Sequence, residues 1–152
     1  MSHDSASHTL SSAVKMLHNF VIALMRIVIN PLVKIPVPEL IEGQNSVQET
    51  PAILKRLGGK KPMIITDAML VKLGLLKLLT DSLDNANIEY VLFDEVVPDP
   101  SLELVNSGIQ KFRSTNADSI IAIGGGSSID CAKAIGACYV TNKTPAQIAG
   151  KF

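Results

Sequence analysis

The hydrophobic positions of this chain change period several times, and each period predicts an element. Over residues 9–30, Leu10, Val14, Leu17, Val21, Leu24 and Val28 recur at alternating spacings of four and three, which predicts an amphipathic helix with one apolar stripe. Asn30-Pro31 stops it. Residues 1–8 before it are small and polar and read as a disordered tail. Ile35 to Gly43 is extended and carries Pro36 and Pro38, which suits an edge strand or a strap rather than a central strand. Ser46 and Glu49 form a capping-box pattern ahead of a helix whose inner face is Val47, Leu54 and Leu57, and Gly58-Gly59 ends that helix.

Three strand–helix units then follow. Met63 to Thr66 is a short apolar strand, with Asp67 after it and a helical stretch to about Ala86 that is broken or bent near Gly74. Ile88 to Phe93 is a second strand, followed by a helix with Leu102, Val105, Ile109 and Phe112 on one face. Ile120 to Ile123 is a third, and its helix buries Cys131, Ala134, Ile135 and Cys138. Continuous apolar strands alternating with helices predict an α/β fold, a parallel sheet with helices on both faces and right-handed crossovers. Ligands of such sheets bind beyond the carboxyl ends of the strands. Three polar candidates sit there: Asp67, Asp99 and the turn Gly124-Gly125-Gly126-Ser127-Ser128.

Composition narrows the function classes. A chain of 152 residues with 47% hydrophobic content is long enough for one domain with a core and is too apolar to be disordered. Fourteen basic and fourteen acidic side chains give no net charge, which argues against nucleic acid as a partner. Cys131 and Cys138 lie seven residues apart on one predicted helix, about 10 Å apart. That is too far for a disulfide, so reduced thiols and a cytoplasmic location are expected. The apolar run Phe20 to Ile29 is interrupted by Arg26 and is too short to span a bilayer, so a packed helix is preferred to a membrane role. His3, His8 and His18 are the only histidines, and their spacing suggests no metal site.

The glycine turn is the sharpest candidate. A tight turn with Ser127 as N-cap and Asp130 completing a capping box needs one glycine or two. Three in a row after an apolar strand favour close approach of an anionic ligand to a helix N-terminus. The GxGxxG fingerprint is absent. Asp67 reads equally as the N-cap of the next helix or as a partner for a ribose diol. It precedes Gly124 by 57 residues, so the usual rule of an acidic residue about 20 residues after the glycine loop does not carry over. Asp99 before Pro100 is accounted for as an N-cap with proline at N1, with a ligand contact the lesser reading. Asp130 and Lys133, one turn apart, suit a surface ion pair.

Taken in order, three blocks resemble the N-terminal half of the iron-containing (group III) alcohol dehydrogenases. They are Lys61-Pro62-Met63-Ile64-Ile65-Thr66-Asp67-Ala68, Phe93-Asp94-Glu95-Val96-Val97-Pro98-Asp99-Pro100, and Ala122 to Lys133 around the glycine turn. The resemblance runs from about Ile35 to Ala137. The glycine block alone is shared with glycerol dehydrogenases, and the other two sharpen the match. The resemblance implies a Rossmann-like NAD-binding domain over residues 35–140 and, over residues 141–152, a truncated connection to a missing helical domain. It also implies that Asp67 faces the adenosine ribose and favours NAD over NADP. Gly124 belongs to the cofactor turn, and Gly125, Gly126, Ser127 and Ser128 hold the pyrophosphate. Asp99 takes a cofactor-facing position that is often Asn in relatives. The implied reaction is alcohol + NAD⁺ to aldehyde or ketone + NADH. In the family, the metal, iron or zinc, is held by an Asp and three His of the helical domain. Small alcohols or aldehydes as substrates and homo-oligomers likewise belong to the full-length form. No catalytic residue or metal ligand is expected in this chain, which is expected to be inactive alone. The alternatives are a non-catalytic NAD-binding or subunit-association module, or half of a related polyol dehydrogenase.

Overall fold

The computed structural model describes residues 38–149. The predicted tail, the 9–30 helix and all three histidines lie outside the described residues. Residues 38–43 form no strand, and residues 35–37 of that predicted segment lie outside the described residues. Of the described residues, 42–149 belong to one compact unit.

In this unit, a 3-10 turn over Ser46–Glu49 leads into α1 (Thr50–Arg56). The expected capping box between Ser46 and Glu49 is not formed. Asn45, at φ 64°, precedes the turn without a side-chain cap, and α1 starts where Pro51 sits in the first turn and donates nothing. Gly58-Gly59 does end α1: Gly58 N–H donates to the Lys55 carbonyl at 3.1 Å and Gly59 N–H to the Leu54 carbonyl at 3.0 Å, a Schellman pair with Gly58 at φ 82°. Leu57 sits at the cap, past the last turn, and is 76% exposed rather than part of the inner face.

β1 (Pro62–Ile65) is buried at every residue. It is followed by α2 (Ala68–Lys72), a break at Gly74 with φ 71°, and α3 (Lys77–Asn85). β2 is only Val91–Phe93, shorter than expected. Asn87 at φ 55° closes α3, and Ile88 N–H returns to the Leu83 carbonyl at 2.9 Å, so Ile88 is spent on the helix cap and not on the sheet. α4 (Leu102–Ser114), β3 (Ser119–Ala122), α5 (Gly126–Thr141) and a capped turn α6 (Pro145–Ile148) complete the order. Thr144 and Gln147 form a reciprocal capping box there.

The three strands are parallel in the order β2-β1-β3. Met63 pairs with Val91 and with Ile120, in register on its two sides. Alternation along β1 feeds two cores. Met63 and Ile65 join Phe93, Val105, Ile109, Phe112, Cys131, Ile135 and Cys138 beneath α4 and α5. Ile64 joins Leu54, Leu76, Leu79 and Leu83 beneath α1 and α3. The expected helices on both faces are therefore present. The step from β1 to β2 passes over one face. The step from β2 to β3 crosses β1 in the opposite direction over the other face, so both crossovers share one hand. Below the sheet, Asp118 staples the amino ends of the strands, accepting from Lys60 N–H at 2.9 Å, Lys61 N–H at 3.0 Å and the Ser119 hydroxyl at 2.8 Å.

Candidate functional site

The strand order puts a topological switch point between β1 and β3. The chain leaves β1 toward one face and β3 toward the other, which opens a crevice beyond their carboxyl ends. A cleft of about 440 Å³ lies there. Asp67, Ala68 and Met69 line it from the β1 end, Val96, Val97 and Pro98 from the loop after β2, and Gly125, Gly126, Ser127 and Ser128 from the turn after β3. Five of the seven expected site residues meet in it; Gly124 and Asp99 do not line it. The hydrophobic wall from Val96 to Pro98 and the pair Ala68-Met69 were not singled out as site residues. Their position just past β2 and β1 was the available signal.

The three glycines have different reasons. Gly124 is at φ 139°, and a Cβ there would meet Ser128 Oγ at 2.5 Å and Leu70 Cδ1 at 3.4 Å. Backbone geometry and packing both demand glycine at that position. Gly125 has an ordinary φ of −81°, and neither Gly125 nor Gly126 would bring a Cβ within 4 Å of anything. The fold does not need glycine at either position. What they leave open is the cleft in front of α5.

α5 is sixteen residues long, and its N-cap is Gly125 with no side-chain cap. The expected Ser127–Asp130 capping box is absent because the helix begins at Gly126, which places Ser127 inside its first turn. Asp130 instead pairs with Lys133 at 3.5 Å, as the spacing allowed. The first helical bond runs from Ile129 N–H to the Gly125 carbonyl at 3.2 Å, so the N–H groups of Gly126, Ser127 and Ser128 stand ahead of it. They face the cleft together with the positive end of the helix dipole, an arrangement that suits an anionic group.

Asp67 is the N-cap of α2: its Oδ1 accepts from Leu70 N–H at 2.9 Å. The same half-buried residue lines the cleft, so capping and ligand contact are compatible rather than exclusive. Asp99 is not an N-cap. It sits at φ 53°, a conformation from which its side chain does not close the helix, and Ser101 caps α4 by accepting from Leu104 N–H at 3.2 Å. Between β1 and Asp67, Thr66 is fully buried and its hydroxyl has no partner among the described residues.

Cys131 and Cys138 are both free and buried, as expected, and burial pushes both thiols above their ordinary pKa. They are poor nucleophiles and poor metal ligands in that state. Among the described residues, no group of three or more His, Cys, Asp or Glu side chains is arranged to hold a metal ion, and no helix is long and apolar enough to cross a membrane.

Comparison with known proteins gives a consistent result. Residues 37–151 match the family model of the iron-containing alcohol dehydrogenases. The chain is 38% identical over 99 residues to an NAD-dependent methanol dehydrogenase of Bacillus methanolicus, covering 65% of this chain and 26% of that protein. It is 40% identical over 94 residues to a lactaldehyde reductase of Escherichia coli K12, covering 62% and 25%. The crystal structure of a 1,3-propanediol oxidoreductase superposes with a TM-score of 0.61 at 38% identity, over 63% of this chain and 25% of that one. The chain thus spans about a quarter of the length of the curated relatives it matches.

Proposed function

The chain belongs to the iron-containing alcohol dehydrogenase family, and from that premise we propose that residues 35–140 form the NAD-binding part of an alcohol dehydrogenase. The observation that carries this reading is the pair Gly125 and Gly126. They stand open at an uncapped helix N-terminus, across one cleft from Asp67.

The roles follow from the geometry. The N–H groups of Gly126, Ser127 and Ser128 bind the pyrophosphate, which approaches as closely as the missing Cβ atoms allow. Asp67 keeps Oδ1 on the α2 cap and offers Oδ2 to the adenosine ribose hydroxyls. Val96, Val97 and Pro98 form an apolar wall that excludes water from one side of the dinucleotide. When bound, NAD supplies the acceptor for a hydride taken from the alcohol carbon. The described residues do not fit an iron or zinc site, so no step is drawn through a metal here. The full reaction, alcohol + NAD⁺ to aldehyde or ketone + NADH, is assigned to the longer arrangement of the family.

Titration of the 152-residue chain with NADH, followed by nicotinamide fluorescence, tests the reading. Saturable binding that Gly125→Asp abolishes is expected, because the new carboxylate would fill the open space and repel the pyrophosphate. Equal affinity of wild type and variant refutes the site. A parallel assay of ethanol oxidation with ferrous iron should give no NADH from this chain alone, and sustained turnover would overturn that part.

A further inference from the structure

We propose that Glu95 is a second determinant of cofactor choice, acting beside Asp67 against a dinucleotide that carries a phosphate on its adenosine ribose. The inference rests on the NAD-binding reading of the cleft and extends it to a residue outside the lining.

Asp67 and Glu95 form an isolated antiparallel bridge just beyond the carboxyl ends of β1 and β2. Val96 N–H donates to the Thr66 carbonyl at 3.2 Å, so the hydrogen bond flanks the pair instead of joining it. That is the narrow kind of antiparallel pair, with side chains on one side and Cβ atoms about 4.5–5.5 Å apart. Two carboxylates therefore leave the backbone side by side at the Asp67 end of the cleft. Among the described residues no cation pairs with either of them, and Asp67 has only the Leu70 N–H on Oδ1. Glu95 is exposed.

The consequence is electrostatic. A ribose 2′-hydroxyl next to this pair is neutral and donates to Asp67. A 2′-phosphate in the same place carries about two negative charges against two carboxylates. The pyrophosphate is common to both cofactors and lies farther away, at the α5 end of the cleft. Removing the Glu95 charge therefore helps both dinucleotides, but helps the phosphorylated one more.

The experiment is a titration of wild type, Glu95→Gln and Glu89→Gln with NADH and with NADPH, at 20 mM and at 500 mM NaCl. Glu89 is a matched control, a carboxylate at the opposite end of β2 paired with Lys61 at 3.4 Å. At low salt, Glu95→Gln should tighten NADPH about fivefold and NADH by less than about twofold. At high salt the gain should collapse toward unity, since the Debye length there is only about 4 Å. Glu89→Gln should leave the NADPH-to-NADH ratio where it was. If wild type binds NADH and the ratio does not move in Glu95→Gln, the proposal is wrong and the cleft stands. If the ratio moves equally in both variants, net charge is responsible and the proposal is again wrong. If wild type binds no NADH, the reading of the cleft fails and this inference falls with it.

Discussion

Gly108, in the middle of α4, sets how closely α4 packs against α5, and so where the glycine turn at the head of α5 stands. It is buried, and a Cβ built on it would overlap Ile135 Cδ1, with Ile135 Cγ1 at 3.1 Å and Phe93 Cε1 at 3.5 Å. Ile135 and Phe93 are both fully buried, so neither can swing into solvent. Gly108→Ala gains about 1 kcal/mol of helix propensity and loses about 1–3 kcal/mol to overpacking, a net loss of about 1 kcal/mol. Ile135→Val removes Cδ1 alone and costs about 1 kcal/mol through the space it leaves. In the double variant the new Cβ occupies that space. The Cδ1 overlap and the void cancel, the 3.1 Å contact that Cγ1 keeps with the new Cβ offsets most of the propensity gain, and stability should return to within about 0.5 kcal/mol of wild type instead of falling by about 2. Urea unfolding followed by circular dichroism at 222 nm measures all four corners of the cycle. Additive losses, with no coupling beyond about 0.5 kcal/mol, would refute the claim that this glycine exists for the helix contact.

Gly124→Ala should cost about 2–4 kcal/mol, because left-handed strain adds to the contact with Ser128; Gly126→Ala should leave the urea midpoint equal or higher while weakening NADH binding. Thr66→Val should raise stability by about 1 kcal/mol, since it replaces a buried, unpartnered hydroxyl with a methyl of the same shape, and a loss of that size in a urea titration would mean the hydroxyl has a partner. For Asp118, burial raises the carboxyl pKa but the Lys61 N–H, the Ser119 hydroxyl and the Lys60 N–H outweigh it and leave the pKa low. Its contribution is therefore complete above the unfolded carboxylate range near 4 and is lost as pH falls through the lower folded value. Asp118→Asn should lower the unfolding free energy at pH 7 by under about 1 kcal/mol, because the site is exposed, and flatten the acid limb of stability against pH.

Much of this fold is legible in the sequence because local signals and tertiary demands agree. Of the predicted stripes, Val105, Ile109 and Phe112 on α4 and Cys131, Ile135 and Cys138 on α5 are buried in the structure, while Ala134 is half-buried and Leu102, in the first turn of α4, is 44% exposed. Errors fall where competing cap chemistry decides. Ser46, Asp99 and Ser127 are all good N-cap residues followed at the right distance by plausible partners. Yet Thr50-Pro51, Ser101 and Gly125 begin the helices instead. A cap depends on the φ and ψ of one residue, and Asp99 at φ 53° has left the extended region that a capping side chain requires. Leu57 failed for a related reason: a helix that ends one residue earlier turns an apparent inner position outward.

The cleft itself depends on information that no single segment carries. Asp67 and the glycine turn are separated along the chain, and each has an adequate local explanation, as a cap and as a tight turn. Only the strand order β2-β1-β3 makes β1 and β3 neighbours that send their chains to opposite faces, and only then do the two features share a crevice. The same geometry separates the glycines into one that the backbone requires and two that it does not. A glycine at an ordinary φ with open space at its Cβ position gives up stability in the free protein, about 0.5–1 kcal/mol within a helix. Gly126 carries that cost at an uncapped helix N-terminus, beside the N-cap Gly125, and a ligand in the open space in front of them offsets it. In the proposed NAD complex, the pyrophosphate of the dinucleotide supplies that offset through the N–H groups that those missing side chains leave exposed.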